Sequence, residues 1–168
     1  MHDVSPLKFR IVHIRTLGVV TCTLFVAMAI HAAPLQPSIP TIQFTFSATA
    51  FGTVLERWQP AGIERFRWHF AIDFPFLMAY GLYGYLLAMR IPGALKVRYF
   101  SKHALSCTAV VAALLDATEN AMHLSFISTA ARWPDWLYAV AGVVSTLKWL
   151  LIGLFGVGYV YSRLRTAG

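Results

Sequence analysis

Three carboxylic acids stand where a carboxylic acid is expensive. Asp73, Asp116 and Glu119 interrupt otherwise apolar stretches, and they are three of only seven acidic residues in the chain. A charge at the centre of a membrane-inserting helix costs roughly 2.5 to 3.5 kcal/mol on insertion scales, so such residues face the interior of a bundle or a wet cavity. Their spacing is helical. Asp116, Glu119, Asn120 and His123 are i, i+3, i+4 and i+7 and share one face, and His69, Asp73 and Tyr80 make a second stripe. Lys148 stands alone in a third apolar stretch.

Such a set suits proton exchange, acid catalysis or cation binding. In an enzyme, Asp116 and Glu119 are the expected acid and base and Asp73 a stabiliser of positive charge. Tyr80, Asn120 and His123 would bind or orient a substrate, with Lys148 as a tuning charge. A second chemistry is metal binding. His69 with Asp73 and Glu119 with His123 are i, i+4 pairs, and His31 falls at similar depth, which could make an N/O site for a divalent metal. Haem is weaker: His31 with His123 and His13 with His103 could be axial pairs, but His13 and His103 sit at the edges of their segments. No cofactor is required by the sequence.

The elements that must position these residues are transmembrane helices. With 58% hydrophobic residues, 12% charged residues and a mean hydropathy of +0.61, the chain is too apolar for an ordinary soluble domain. A span needs about 20 mostly apolar residues, so four spans account for most of the 168 residues and leave one domain, 1–168. The expected fold is an all-α membrane protein, a four-transmembrane-helix bundle with spans at about 11–33, 70–89, 103–127 and 136–160. A cleaved secretory leader competes for the first, but Pro34 directly after Ala33 is a poor cleavage site.

Between the first two spans lies a long outer loop. Ile42, Phe44 and Phe46 alternate with Gln43, Thr45 and Ser47, and then Phe51, Val54, Leu55 and Trp58 follow the spacing of an amphipathic helix. That segment is expected on the outer interface, ended by Pro60 and Gly62. Gly81, Gly84, Gly153, Gly156 and Gly158 read as close helix contacts, and Cys22 and Cys107 as small packing residues, since neither belongs to a C-x-x-C pair.

Charge sets the direction. Lys8, Arg10, Arg15, Arg90, Lys96, Arg98, Lys102, Arg163 and Arg165 flank one side, against Arg57, Arg65, Arg67 and Arg132 on the other, which places both termini in the cytoplasm of an inner-membrane protein. The net charge of +7 is therefore topology and gives no case for nucleic acid. Trp58, Trp68, Trp133 and Trp136 gather at the opposite, outer boundary. Counted from that boundary at about 1.5 Å per residue, Lys148, Asp116 and Tyr80 lie roughly 18, 17 and 15 Å deep, the floor of a pocket expected to open outward.

Three motifs carry a resemblance: Asp73 followed seven residues later by Tyr80, the run Leu115-Asp116-x-x-Glu119-Asn120, and Lys148-Trp149. From about Thr41 onward the chain resembles a group of uncharacterised bacterial four-span membrane proteins. The resemblance implies that these polar positions form one site and supplies no substrate. The favoured activity is an intramembrane enzyme working on a lipid or isoprenoid-like substrate by acid/base chemistry. The alternatives are a small proton- or cation-coupled transporter, which would need a homodimer to supply a second half, and a structural protein in which Lys148 pairs with Asp116. Membrane lipids are the expected partners.

Overall fold

The structure is a computed structural model that describes residues 6–91, 101–128 and 133–167. Five helices form within them: α1 (Pro6–Ala32), α2 (Ile39–Gln43), α3 (Ala48–Met89), α4 (Lys102–Ser128) and α5 (Asp135–Ala167), with no strand among the described residues. Lys96, Arg98 and Arg132, part of the charge asymmetry, lie outside the described residues, as do the side chains of Lys8, Arg10 and His13.

Three helices are long and apolar enough to cross a membrane: α1 over Ile14–Ala32, α3, and α5 over Asp135–Arg165. The 27-residue α4 has the length, and its polar face lowers its hydropathy below theirs. Large apolar side chains cover the outside of the molecule, among them Ile30 at 70% exposure, Met78 at 71% and Leu150 at 64%. That is the surface expected of helices whose surroundings are lipid.

The helices pack in the order α1, α3, α4, α5. α4 lies between α3 and α5, α1 rests on α3, and α3 meets α5 only narrowly. Two glycines bring α3 and α4 together: a Cβ on Gly81 would stand 2.8 Å from Ala113 Cβ, and one on Gly84 would stand 2.7 Å from Ala109 Cβ. Their expected packing role is met. Gly153 and Gly156 have nothing within 4 Å of an added Cβ, so they bring no helices of this chain together. Cys22 and Cys107 are likewise exposed and are not packing residues.

The loop before the second span departs most from expectation. The helix does not end at Pro60 and Gly62. It bends at Gln59 (φ 56, ψ 173) and resumes at once, because proline bars the preceding residue from helical angles yet is well suited to a helix's first turn. The segment ahead of the bend begins on two acceptors, with Ala50 N donating to Ser47 Oγ at 3.2 Å and Ala48 N to Asp135 Oδ1 at 3.0 Å.

Phe51, Val54 and Trp58 do share one face, and that face is turned into the protein. They join Leu35, Ile39, Ile42, Phe66, Phe70, Phe126 and Tyr138 in the main apolar core. Trp58 is 6% exposed and donates to Pro37 O at 2.7 Å, so it is a core residue and no part of a boundary belt, whereas Trp68 and Trp136 remain exposed. The alternation over 42–47 is also inverted for its aromatic rings. Gln43 and Thr45 are buried while Phe44 and Phe46 are exposed, because this stretch is the short α2 and a crossing of α5 at Gly142, not a strand.

Candidate functional site

The spacing on α4 holds as a physical face: Asp116, Glu119, Asn120 and His123 are all at most 5% exposed. α3 delivers His69, Asp73 and Tyr80 to one side of that face and α5 delivers Lys148 to the other. Lys148 is the centre of the ionic part. Its Nζ lies 2.9 Å from Asp116 Oδ1 and 2.6 Å from Glu119 Oε2. Tyr80 Oη donates to the other oxygen of Asp116 at 3.1 Å. On the far side of Asp116, Asn120 Nδ2 donates to Asp73 Oδ2 at 2.8 Å.

The histidines complete two i, i+4 pairs at longer range. His69 Nε2 stands 3.7 Å from Asp73 Oδ2, and His123 Nδ1 stands 3.7 Å from Glu119 Oε1. Both separations exceed an ordinary hydrogen bond of about 2.7 to 3.2 Å. Three atoms are buried without a hydrogen-bond partner among the described residues, His69 Nδ1, Glu119 Oε1 and Glu119 Oε2, the last of them in ionic contact with Lys148.

A cleft of about 550 Å³ divides these residues into two sets. It runs between α1 and α5 over a floor made by α3 and α4. His69, Asp73, Tyr80, Asp116 and Lys148 line it, together with Gln43 of α2 and Trp149 of α5. Glu119, Asn120 and His123 do not. They sit behind the floor, where Phe51, Phe66 and Phe126 surround His123 with ring centroids 5.6 to 6.2 Å away. Glu119 is therefore the rear counter-ion of Lys148 and is screened from whatever occupies the cleft.

The end of the site nearest the long loop is packed with Phe51, Phe66, Phe70, Phe126 and Tyr138. The cleft is lined by both α1 and α5, which make few contacts with each other among the described residues. Its other walls are apolar: Phe25, Met28 and Ala29 of α1, Leu87 of α3, and Ile152 and Phe155 of α5.

The structure does not assemble the metal set. Among the described residues no group of three or more His, Cys, Asp or Glu side chains is arranged to hold a metal ion. His31 belongs to a different contact, with its Nε2 2.9 Å from Arg65 O while Arg65 Nη1 donates to His31 O. That also separates it from His123 as an axial pair, and His103 is exposed.

Sequence reasoning missed Gln43. Its Oε1 accepts from Trp149 Nε1 at 3.2 Å and so ties α2 across the cleft to the residue beside Lys148. In sequence it does not stand out, because it is one of several polar residues, with Thr45 and Ser47, that alternate with apolar ones. Ser145, completely buried beside Glu119, was also passed over because a serine in a helix normally satisfies itself, as this one does on Ala141 O. The chain matches no family model, no curated protein and no solved structure.

Proposed function

We propose that the chain is a four-span inner-membrane protein with both termini in the cytoplasm, α4 being the fourth span. Its cleft takes a lipid or isoprenoid-like substrate from the bilayer and works on the polar or reactive group by acid/base chemistry. One observation carries this reading: a single cleft joins apolar walls to a polar floor, and within that floor one carboxylate has no cation.

Lys148 sits between Asp116 and Glu119 and offsets part of their charge, which makes them structure-bearing partners. Asp73 is held only by the neutral amide of Asn120 and by the more distant imidazole of His69. A proton-transfer group needs an oxygen or nitrogen that is not already locked in an ion pair. Asp73 and His69 fit that role, with Tyr80 and Asp116 fixing the substrate beside them. The roles expected of Asp116 and Glu119 thus pass to a pair on α3. Substrate reaches the floor sideways, between α1 and α5, which suits a molecule dissolved in lipid.

The structural reading has its own support in the closed Lys148 triad, since an ion pair with both partners buried can serve packing alone. A test separates the two. Protein purified in mild detergent is extracted and its bound molecules identified by mass spectrometry, alongside Ala29→Trp, which fills the cleft from an exposed position on α1. Wild type carrying a lipid-like molecule that Ala29→Trp loses supports the site. The abundance of that molecule in cells should then differ between wild type and Asp73→Asn. Equal retention by both proteins, or nothing bound to either, refutes it.

A further inference from the structure

The polar floor is unbalanced in a way that specifies the ligand's polar group. The donors around Asp116 and Lys148 are already engaged. Tyr80 gives its proton to Asp116, Lys148 contacts Asp116 and Glu119, and Trp149 Nε1 is spent on Gln43. Acceptors remain. Asp73 receives a single bond, from Asn120 behind the floor, and His69, which lines the cleft at 5% exposure, has an Nδ1 with no partner. A buried acceptor without a donor costs about 1 to 3 kcal/mol, so a ligand that brings N–H or O–H groups is favoured here over one that brings only acceptors.

Charge narrows the choice further. Three carboxylates face one ammonium, which with neutral imidazoles leaves a formal excess of two negative charges in and behind the floor. No arginine, and no lysine besides Lys148, is among the described residues that line the cleft. A phosphate or carboxylate head group would therefore meet carboxylates and no uncommitted cation. The walls near the floor are aromatic, with Phe76 and Tyr80 on α3, Tyr83 below them and Trp149 opposite, and π-faces attract cations.

Resting on the proposed lipid-like substrate, we infer that the cleft is selective for a long-chain primary amine, whose ammonium docks on Asp73 and His69. Its tail runs along α3 toward Leu87 and Phe155. Asp73 and Leu87 are separated by roughly 21 Å at about 1.5 Å per helical residue, room for an extended alkyl tail. The ammonium donates to the open side of Asp73, beside His69, and it brings positive charge to the place where the protein lacks it.

The test uses three probes of one chain length, dodecylamine, dodecanol and dodecanoic acid, titrated into the full chain in detergent with tryptophan fluorescence as the readout. Dodecylamine should bind at least about tenfold more tightly than either of the others, each 1.4 kcal/mol of preference being a factor of ten. Asp73→Asn should remove that preference. The wild-type comparison needs no variant to fold. Dodecanol or dodecanoic acid binding as tightly as the amine overturns the inference while leaving an amphiphile site in place. If no probe binds wild type more tightly than Ala29→Trp, the inference and the proposed function fall together.

Discussion

Replacing Lys148 by Met should unbalance the interior more than any other single change. The lysine is 2% exposed, and the two carboxylates on it are 5% and 0% exposed, so neither can turn to water when the ammonium is removed. Breaking a buried ion pair by deleting one partner costs about 3 to 5 kcal/mol, chiefly because the surviving charge is left uncompensated. Here one deletion strands two charges, which places the expected loss at the upper part of that range. At about 1.4 kcal/mol per tenfold, it amounts to roughly three orders of magnitude in the unfolding equilibrium. The assay is reversible unfolding in mixed micelles, following the tryptophans. Adding Asp116→Asn and Glu119→Gln to Lys148→Met removes the stranded charges and should restore most of the loss, because an apolar or neutral replacement of a whole buried ionic group is often tolerated. Lys148→Met that unfolds like wild type, or a triple variant no better than the single one, would refute the view that this triad holds α4 to α5.

Two smaller tests probe the packing around the site. Gly84→Val places a side chain where even a Cβ meets Ala109 at 2.7 Å, and should cost about 1 to 3 kcal/mol in the same unfolding assay, while Gly153→Ala, with open space around it, should stay within about 0.5 kcal/mol of wild type. Asp135→Ala removes the acceptor for Ala48 N and should cost about 1 kcal/mol, read locally as faster amide exchange over 48–58 with little change in α4.

Helical periodicity explains what the sequence made legible. Side chains at i, i+3, i+4 and i+7 must share a face whatever surrounds them, so the faces carrying Asp116 to His123 and His69 to Tyr80 could be drawn before any packing was known. The hidden quantity was which way each face turned relative to the cleft. Asp116 and Glu119 differ by less than one helical turn, yet one lines the cleft and the other stands behind it. Nor could a count of charges say that Lys148 would span two carboxylates and leave Asp73 as the unpaired one. The Phe51 to Trp58 face was legible as amphipathic, but amphipathicity does not distinguish lipid from protein as the covering surface. Pro60 was legible as a break, and its second meaning, a good first residue for a new helix, decided the outcome. The glycines show the same limit. Gly84 and Gly153 look alike in sequence, and only the neighbour's position tells contact from open space.

The order in which the chain is made gives the Lys148 triad a further meaning. Asp73 and Tyr80 precede α4 and can meet Asn120 and Asp116 as soon as α4 exists. Among the described residues, the cation that answers Asp116 and Glu119 belongs to α5, which is synthesised after α4. For that interval α4 carries two carboxylates with no lysine beside them. α5 therefore does more than add a wall: its arrival settles the charge of the helix before it, so the two commit to their final positions together and α4 remains without its cation until α5 has been translated.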